Sequence, residues 1–283
     1  MRTRILTAVV AFLVFLPFLI FADTPALPIA MAICGLVSTF EMIRCVGLHK
    51  NLFVSVPLYL VAVATPLSLR FWGIENTLPA ALAAILVLQL YMLAVTTFSR
   101  GKVNVNASST AMMTSIYIIA GFSAMVYLHD FHEGGRYLYL LTFIGAWVPD
   151  TFAYFTGVLF GKHKLIPDVS PKKTVEGAIG GLVFCVLAFV GFALIYNNFL
   201  IPEDLIWIPE DSPFLPVGLM AVIGLLAGIV SMVGDLTMSL IKRHYGIKDY
   251  GKILPGHGGF LDRFDSVIAV AVILAVFLGA TIA

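Results

Sequence analysis

Residues 262–282 read DRFDSVIAVAVILAVFLGATI, three charged side chains within four positions and then an unbroken uncharged run. The run 266–282 approaches the ~20 residues that a helix needs to cross a bilayer. At its mouth, Asp262, Arg263 and Asp265 would cost free energy unless each finds a partner. Similar apolar runs recur at 5–22, 27–43, 52–69, 78–98, 110–128, 137–160, 177–197 and 214–240, which makes nine in all. The chain is 60% hydrophobic and 12% charged, with a mean hydropathy of +1.00. Soluble proteins carry roughly 25% charged residues. Backbone crossing lipid must satisfy its own hydrogen bonds, so an all-α polytopic membrane protein of nine transmembrane helices is expected.

The first run, behind Arg2 and Arg4, imitates a signal peptide. It is longer than the usual ~7–15 apolar residues and more spans follow, so it reads as a retained helix. Threading nine spans with the N-terminus in the cytoplasm puts 15 of the 17 Lys and Arg side chains on the cytoplasmic side and leaves only Arg70 and Arg136 outside. This bias predicts a cytoplasmic N-terminus and an external C-terminus. The acidic connection 197–213 then falls outside. Cys34, Cys45 and Cys185 show no CxxC spacing and read as small packing residues. The acceptor triplet Asn106-Ala107-Ser108 falls on the cytoplasmic side and reads as chance. No soluble domain, internal repeat or low-complexity tract interrupts the pattern.

Polar chemistry is unevenly distributed. Residues 1–136 are apolar spans with short connections and read as structural, lipid-facing helices. Glu41, near the cytoplasmic end of its span, reads as a snorkelling or helix-pairing acid. Residues 137–283 carry the candidate catalytic region. Asp150 sits inside a span next to the helix-loosening Pro149, and an ionisable group at such depth points to function or to an interhelical pair. The following loop carries Ser170, Lys172, Lys173 and Thr174 ahead of Glu176 and the glycines 177, 180 and 181. Lysines and hydroxyls before a helix N-terminus suit phosphate, and a loop lying against anionic lipid would also carry them.

The densest region is 234–265. Asp235, Ser239 and Lys242 lie at i, i+4 and i+7, on one face of a continuing helix, with Arg243 adjacent. Lys248, Asp249 and Lys252 follow, then Pro-Gly-His-Gly-Gly, then Asp262 and Asp265 at i, i+3. Three carboxylates (Asp235, Asp262 and Asp265) facing one point would suit Mg²⁺, a hard cation that takes oxygen ligands and leaves positions for phosphate. Gly258 and Gly259 would let a phosphate approach the amides of the last helix. His257 has no second ligand at zinc spacing, which leaves phosphate contact, proton transfer or a loop role. A bare network of ion pairs would account for the charges but not for the twin glycines. The chemistry implied is phosphoryl or nucleotidyl transfer involving a lipid at the cytoplasmic membrane face.

The stretch SLIKRHYGIKDYGKILPGHGGFLDRFD, 239–265, closely resembles the C-terminal signature of phosphatidate cytidylyltransferases, or CDP-diacylglycerol synthases. That signature runs Ser-x-apolar-Lys-Arg, four residues, Lys-Asp-x-Gly, two residues, Leu-Pro-x-His-Gly-Gly-apolar-x-Asp-Arg-apolar-Asp, and this chain shows no departure from it. WVPDTFAYFTGVLFGKHKLIPDVSPKKTVEG, 147–177, resembles a second block of the same family. The resemblance implies transfer of CMP from CTP to phosphatidate, giving CDP-diacylglycerol and pyrophosphate. It implies Asp235, Asp262 and Asp265 as Mg²⁺ ligands, with room for a second cation, and Ser239 and Lys242 beside them. Arg243, Lys248, Asp249, Arg263, His257 and the Gly258–Gly259 amides would line the phosphate site. Ser170, Lys172, Lys173 and Thr174 would hold the triphosphate or the lipid head group, and Asp150 would line the cavity. The expected partners are CTP, phosphatidate and membrane lipids, with no nucleic acid and with a homodimer admissible. The expected location is the bacterial cytoplasmic membrane. A different lipid-phosphate transferase is the nearest alternative. A secondary transporter fits less well, because the polar residues are not shared between two related halves.

Overall fold

The computed structural model describes residue 17 and residues 20–130, 133–200, 215–253 and 258–282. The span expected at 5–22 lies almost wholly outside the described residues, as do most of the 197–213 connection and His257. Among the described residues seven α-helices follow in order: α1 Ala26–Cys45, α2 Leu52–Phe98, α3 Val105–Asp130, α4 Leu140–Phe160, α5 Val175–Ile195, α6 Val217–His244 and α7 Leu261–Ile282. Six helical stretches among the described residues are long and apolar enough to cross a membrane, which makes this an integral, polytopic membrane protein.

Two features sharpen the sequence reading. The runs 52–69 and 78–98 are two helical limbs, labelled together as α2, that meet at Gly73, whose φ 73°, ψ 166° lies outside helical geometry. A glycine adopts that conformation without the Cβ penalty, so the chain bends without a loop. At 1.5 Å per residue the two limbs are roughly 30 and 40 Å long, each enough to cross a bilayer. The loop after α4 is not featureless either: β1 Lys164–Ile166 pairs antiparallel with β2 Ser170–Thr174, Lys164 opposite Thr174 and Ile166 opposite Ser170. Apart from this small hairpin the described residues are built of helices and their connections, as expected.

The chain forms two compact units, one of Met1–Tyr127 with Ile241–Phe264, the other of Leu128–Leu240 with Asp265–Ala283. The segment 241–264 packs with the N-terminal helices. Specific bonds explain this. Arg44 of α1 donates from Nη2 to the Tyr250 carbonyl at 2.9 Å, and the Tyr245 hydroxyl lies 3.1 Å from Thr110 Oγ1 of α3. Phe264 packs against Phe122 of α3 and stacks on Phe260. In the same unit Arg70, placed outside by the charge count, donates to the carbonyls of Ala22, Asp23 and Thr24 just ahead of α1.

The second unit is built on close helix contact at small residues, which is how helices gain dispersion contact where lipid supplies no hydrophobic drive. A Cβ on Gly181 of α5 would stand 2.7 Å from the Pro149 carbonyl oxygen of α4, and one on Gly177 2.6 Å from that of Ala153. On α6, Gly224 and Gly228 sit one turn apart against Val186, Phe189, Leu182 and Cys185 of α5. Cys185 is buried there, and all three cysteines are free thiols, consistent with their expected packing role. Pro149 thus takes part in the α4–α5 contact through its carbonyl.

Candidate active site

Two groups of the expected site residues can each be followed within one unit. In the second unit α6 carries Asp235 and, one turn later, Ser239, whose hydroxyl is 3.4 Å from Asp235 Oδ1. β2 delivers Lys173, whose Nζ lies 2.6 Å from Asp235 Oδ2, with both side chains about a quarter exposed at 24% and 26%. Asp150 of α4 lies within electrostatic reach of both Lys173 and Asp235. One lysine thus stands among acidic side chains contributed by two helices.

Strand geometry accounts for the choice between the neighbouring lysines. Successive side chains of a strand point to opposite faces. Lys173 is half-buried toward Asp235, and Lys172 is exposed. Thr174 is used locally: it is the N-cap of α5, its hydroxyl accepting from the Gly177 amide at 3.1 Å. Its neighbour Glu176 closes the hairpin, accepting from the Lys162 and His163 amides and bonding His163 Nδ1 at 2.6 Å. Ser170 is half-buried at the start of β2. Asp265 is buried at 8% exposure, and its Oδ1 accepts from the Ser266 amide at 2.8 Å.

The first unit holds the second group. Lys242 Nζ meets Asp262 Oδ1 at 2.6 Å, and the ammonium also stands 5.3 Å from the centroid of the Tyr250 ring. The other oxygen of Asp262 accepts from the amides of Tyr250, at 2.8 Å, and Gly259, at 3.0 Å. Asp249 lies beside Gly258, whose φ of +89° is the left-handed conformation that favours glycine. Arg243, Lys248, Asp249 and Arg263 are exposed.

The anion expected at the α7 N-terminus meets an internal occupant. The Gly259 amide donates to Asp262, and the amides of Phe260 and Leu261 donate to Glu41 of α1 at 3.0 and 2.8 Å. The donors left over at a helix start are therefore met by two of the protein's own carboxylates. The glycine at 259 leaves room for those acids, since a Cβ there would stand 2.8 Å from Glu41 Oε2 and 2.9 Å from Asp262 Oδ2. The sequence reading took Glu41 as a snorkelling or helix-pairing acid and did not foresee its place at this turn. Its signal was present: an acid inside an apolar span is functional by default, and Glu41 is completely buried. Tyr250 and Arg44, also unforeseen, hold the same turn.

Hard carboxylate oxygens are the right chemistry for Mg²⁺. Among the described residues, however, no group of three or more His, Cys, Asp or Glu stands arranged to hold a metal, and Asp235 and Asp262 each hold a lysine.

The family model described as "Cytidylyltransferase family" matches residues 2–281. The phosphatidate cytidylyltransferases of Staphylococcus haemolyticus and Staphylococcus saprophyticus are each 33% identical to this chain, over 98% of it and 99% of their own length. That of Staphylococcus aureus is 32% identical with the same coverage. The match runs through the N-terminal helices as well as the charged C-terminal motifs, and on that evidence the chain belongs to the cytidylyltransferase family.

Proposed function

We propose that this protein is a phosphatidate cytidylyltransferase, transferring CMP from CTP to phosphatidate to give CDP-diacylglycerol and pyrophosphate. The observation that carries this reading is the full-length likeness to proteins of that name, joined to an unbroken signature at 239–265. A phosphate oxygen of phosphatidate attacks the α-phosphorus of CTP. A new P–O bond forms as the bond to the bridging α–β oxygen breaks, and its electron pair leaves with pyrophosphate. The attacking oxygen is already ionised at neutral pH, so the step needs positioning and charge neutralisation more than a general base.

The residues divide the work by their surroundings. Lys173 and Lys242 bring cationic groups to the phosphates, and each is held in place by its aspartate partner, Asp235 or Asp262. Ser239 bonds the nearer oxygen of Asp235. Arg243, Lys248 and Arg263 give exposed positive charge for the nucleotide or the lipid head group, with Asp249, His257 and Gly258 on the same segment. Lys172, Ser170 and Thr174 flank Lys173 on and beside its strand, and Asp150 is assigned to the lining of the substrate site because it lies within electrostatic reach of Lys173 and Asp235. Mg²⁺ belongs to the proposal, with Asp235, Asp262 and Asp265 as its carboxylates and room for a second cation. When bound, it supplies neutralisation of triphosphate charge.

Nine spans, a cytoplasmic N-terminus, an external C-terminus and a site open to the cytoplasm complete the reading. The positive-inside bias supports the orientation, and the two limbs of α2, parted at Gly73, support two crossings. A bacterial cytoplasmic membrane and a homodimer fit the same picture. The test is direct. Protein purified in detergent, given labelled CTP, phosphatidate and Mg²⁺, should form CDP-diacylglycerol and pyrophosphate and should stop when EDTA removes the metal. Turnover with another donor or acceptor lipid in place of these would overturn the reading.

A further inference from the structure

Glu41 lies on α1, far in sequence from every motif that carries the proposed chemistry. Its side chain is nonetheless completely buried, with each oxygen committed: Oε1 accepts from the Phe260 amide at 3.0 Å and Oε2 from the Leu261 amide at 2.8 Å. Those two amides open α7 directly ahead of Asp262. One turn further along α1, Arg44 donates to the Tyr250 carbonyl while the Tyr250 amide donates to Asp262. An acid and a base of one helix thus hold both strands of the turn that presents Asp262 and, through it, Lys242.

Two glycines make this possible. A Cβ on Gly251 would fall on the Glu41 carboxylate, and the Glu41 side chain supplies all three of its nearest atoms. A Cβ on Gly259 would meet the Gly251 amide nitrogen at 2.5 Å and both carboxylates within 3 Å. Neither glycine has a positive φ, so neither is needed for its backbone conformation. What they provide is space for the Glu41 carboxylate to reach the amides. A carboxylate buried at that depth is costly unless its hydrogen bonds are complete, and here they are completed by the turn itself.

We propose that Glu41 is a positioning residue for cytidylyl transfer: its carboxylate, admitted by Gly251 and Gly259, fixes the first turn of α7 and thereby the Lys242–Asp262 pair. The inference rests on the proposed transferase activity, and its test separates the two. Glu41→Ala should lower kcat about 100-fold with the KM for CTP changed less than about threefold, as expected when a reacting geometry is lost rather than a binding contact. Glu41→Gln, which keeps the volume and one acceptor, should retain more of kcat than Glu41→Ala. Gly251→Ala should also lower kcat about 10-fold or more. In the Glu41→Ala background the same methyl should cost nothing further, because the group it displaces is gone; such non-additivity is the signature of a shared contact. Hydrogen exchange at 258–264 should quicken in Glu41→Ala with or without turnover, so an inactive wild-type protein would sink only the transferase reading. Should Glu41→Ala fail to fold, Glu41→Gln and Gly251→Ala carry the kinetic comparison. Native kcat in Glu41→Gln and Glu41→Ala, additive losses in the double variant, or unchanged exchange would overturn the proposal.

Discussion

Lys242 Nζ lies 2.6 Å from Asp262 Oδ1, and the two side chains are only 10% and 4% exposed. A pair this enclosed is expensive to break on one side, because the remaining charge keeps its desolvation cost without its partner. The second oxygen of Asp262 holds two amides, so this carboxylate joins a candidate catalytic lysine to the shape of the turn.

Asp262→Asn should therefore abolish turnover and also lower stability, by roughly 3–5 kcal/mol. Asparagine keeps an acceptor for the Tyr250 and Gly259 amides but turns an N–H toward Lys242. Adding Lys242→Met should recover much of the stability and none of the activity. Thermal unfolding in detergent, alongside the labelled-CTP assay, checks both halves.

The Lys173–Asp235 pair should behave differently, since each partner is about a quarter exposed. Lys173→Ala or Asp235→Asn should shift stability by only about 0–1 kcal/mol while reducing turnover roughly 100-fold through lost charge neutralisation. A melting curve near that of the native protein beside a collapsed rate is the expected pattern. A large stability loss with normal turnover would remove the pair from the site.

Lys164 stands exposed on β1, opposite Thr174. Lys164→Ala should leave turnover within about twofold of native, the range expected of a surface substitution. A loss as deep as that of Lys173→Ala would mean that the basic residues have been ranked wrongly.

Thr174 caps α5 through its hydroxyl. Thr174→Val removes the acceptor for the Gly177 amide and should cost about 1 kcal/mol, whereas Thr174→Ser keeps it and should melt close to the native protein. Differential scanning calorimetry of the two variants distinguishes the cap from the methyl group.

Much of the architecture was legible because lipid is an unforgiving solvent. A run such as 266–282 or 177–197 has few structures open to it beyond a helix, and the described helices follow those runs closely. The connection between the spans 52–69 and 78–98 is tighter than the run boundaries suggested, because Gly73 alone breaks the helix between the two limbs. The hairpin 164–174 was missed because three- and five-residue strands carry almost no periodicity. Among the site residues, Lys173, Asp235 and Ser239 were named and are brought together, as were Lys242 and Asp262.

The sequence by itself determined that this is a helical membrane protein and which charged residues do not belong in oil, because burial cost depends on residue type and run length alone. It also carried the family signature at 239–265. Only the tertiary structure decided the partners. Whether Gly259 admits a phosphate or a carboxylate, whether Lys173 or Lys172 turns inward, and whether Glu41 is a lipid-edge acid or the cap of a distant helix are questions of distance between chain segments. Glu41 and Leu261 are separated by 220 positions, and their 2.8 Å hydrogen bond leaves no periodicity or spacing in the chain. It exists because helix packing brings an acid with no water around it to amides with no helical acceptor, and each satisfies the other.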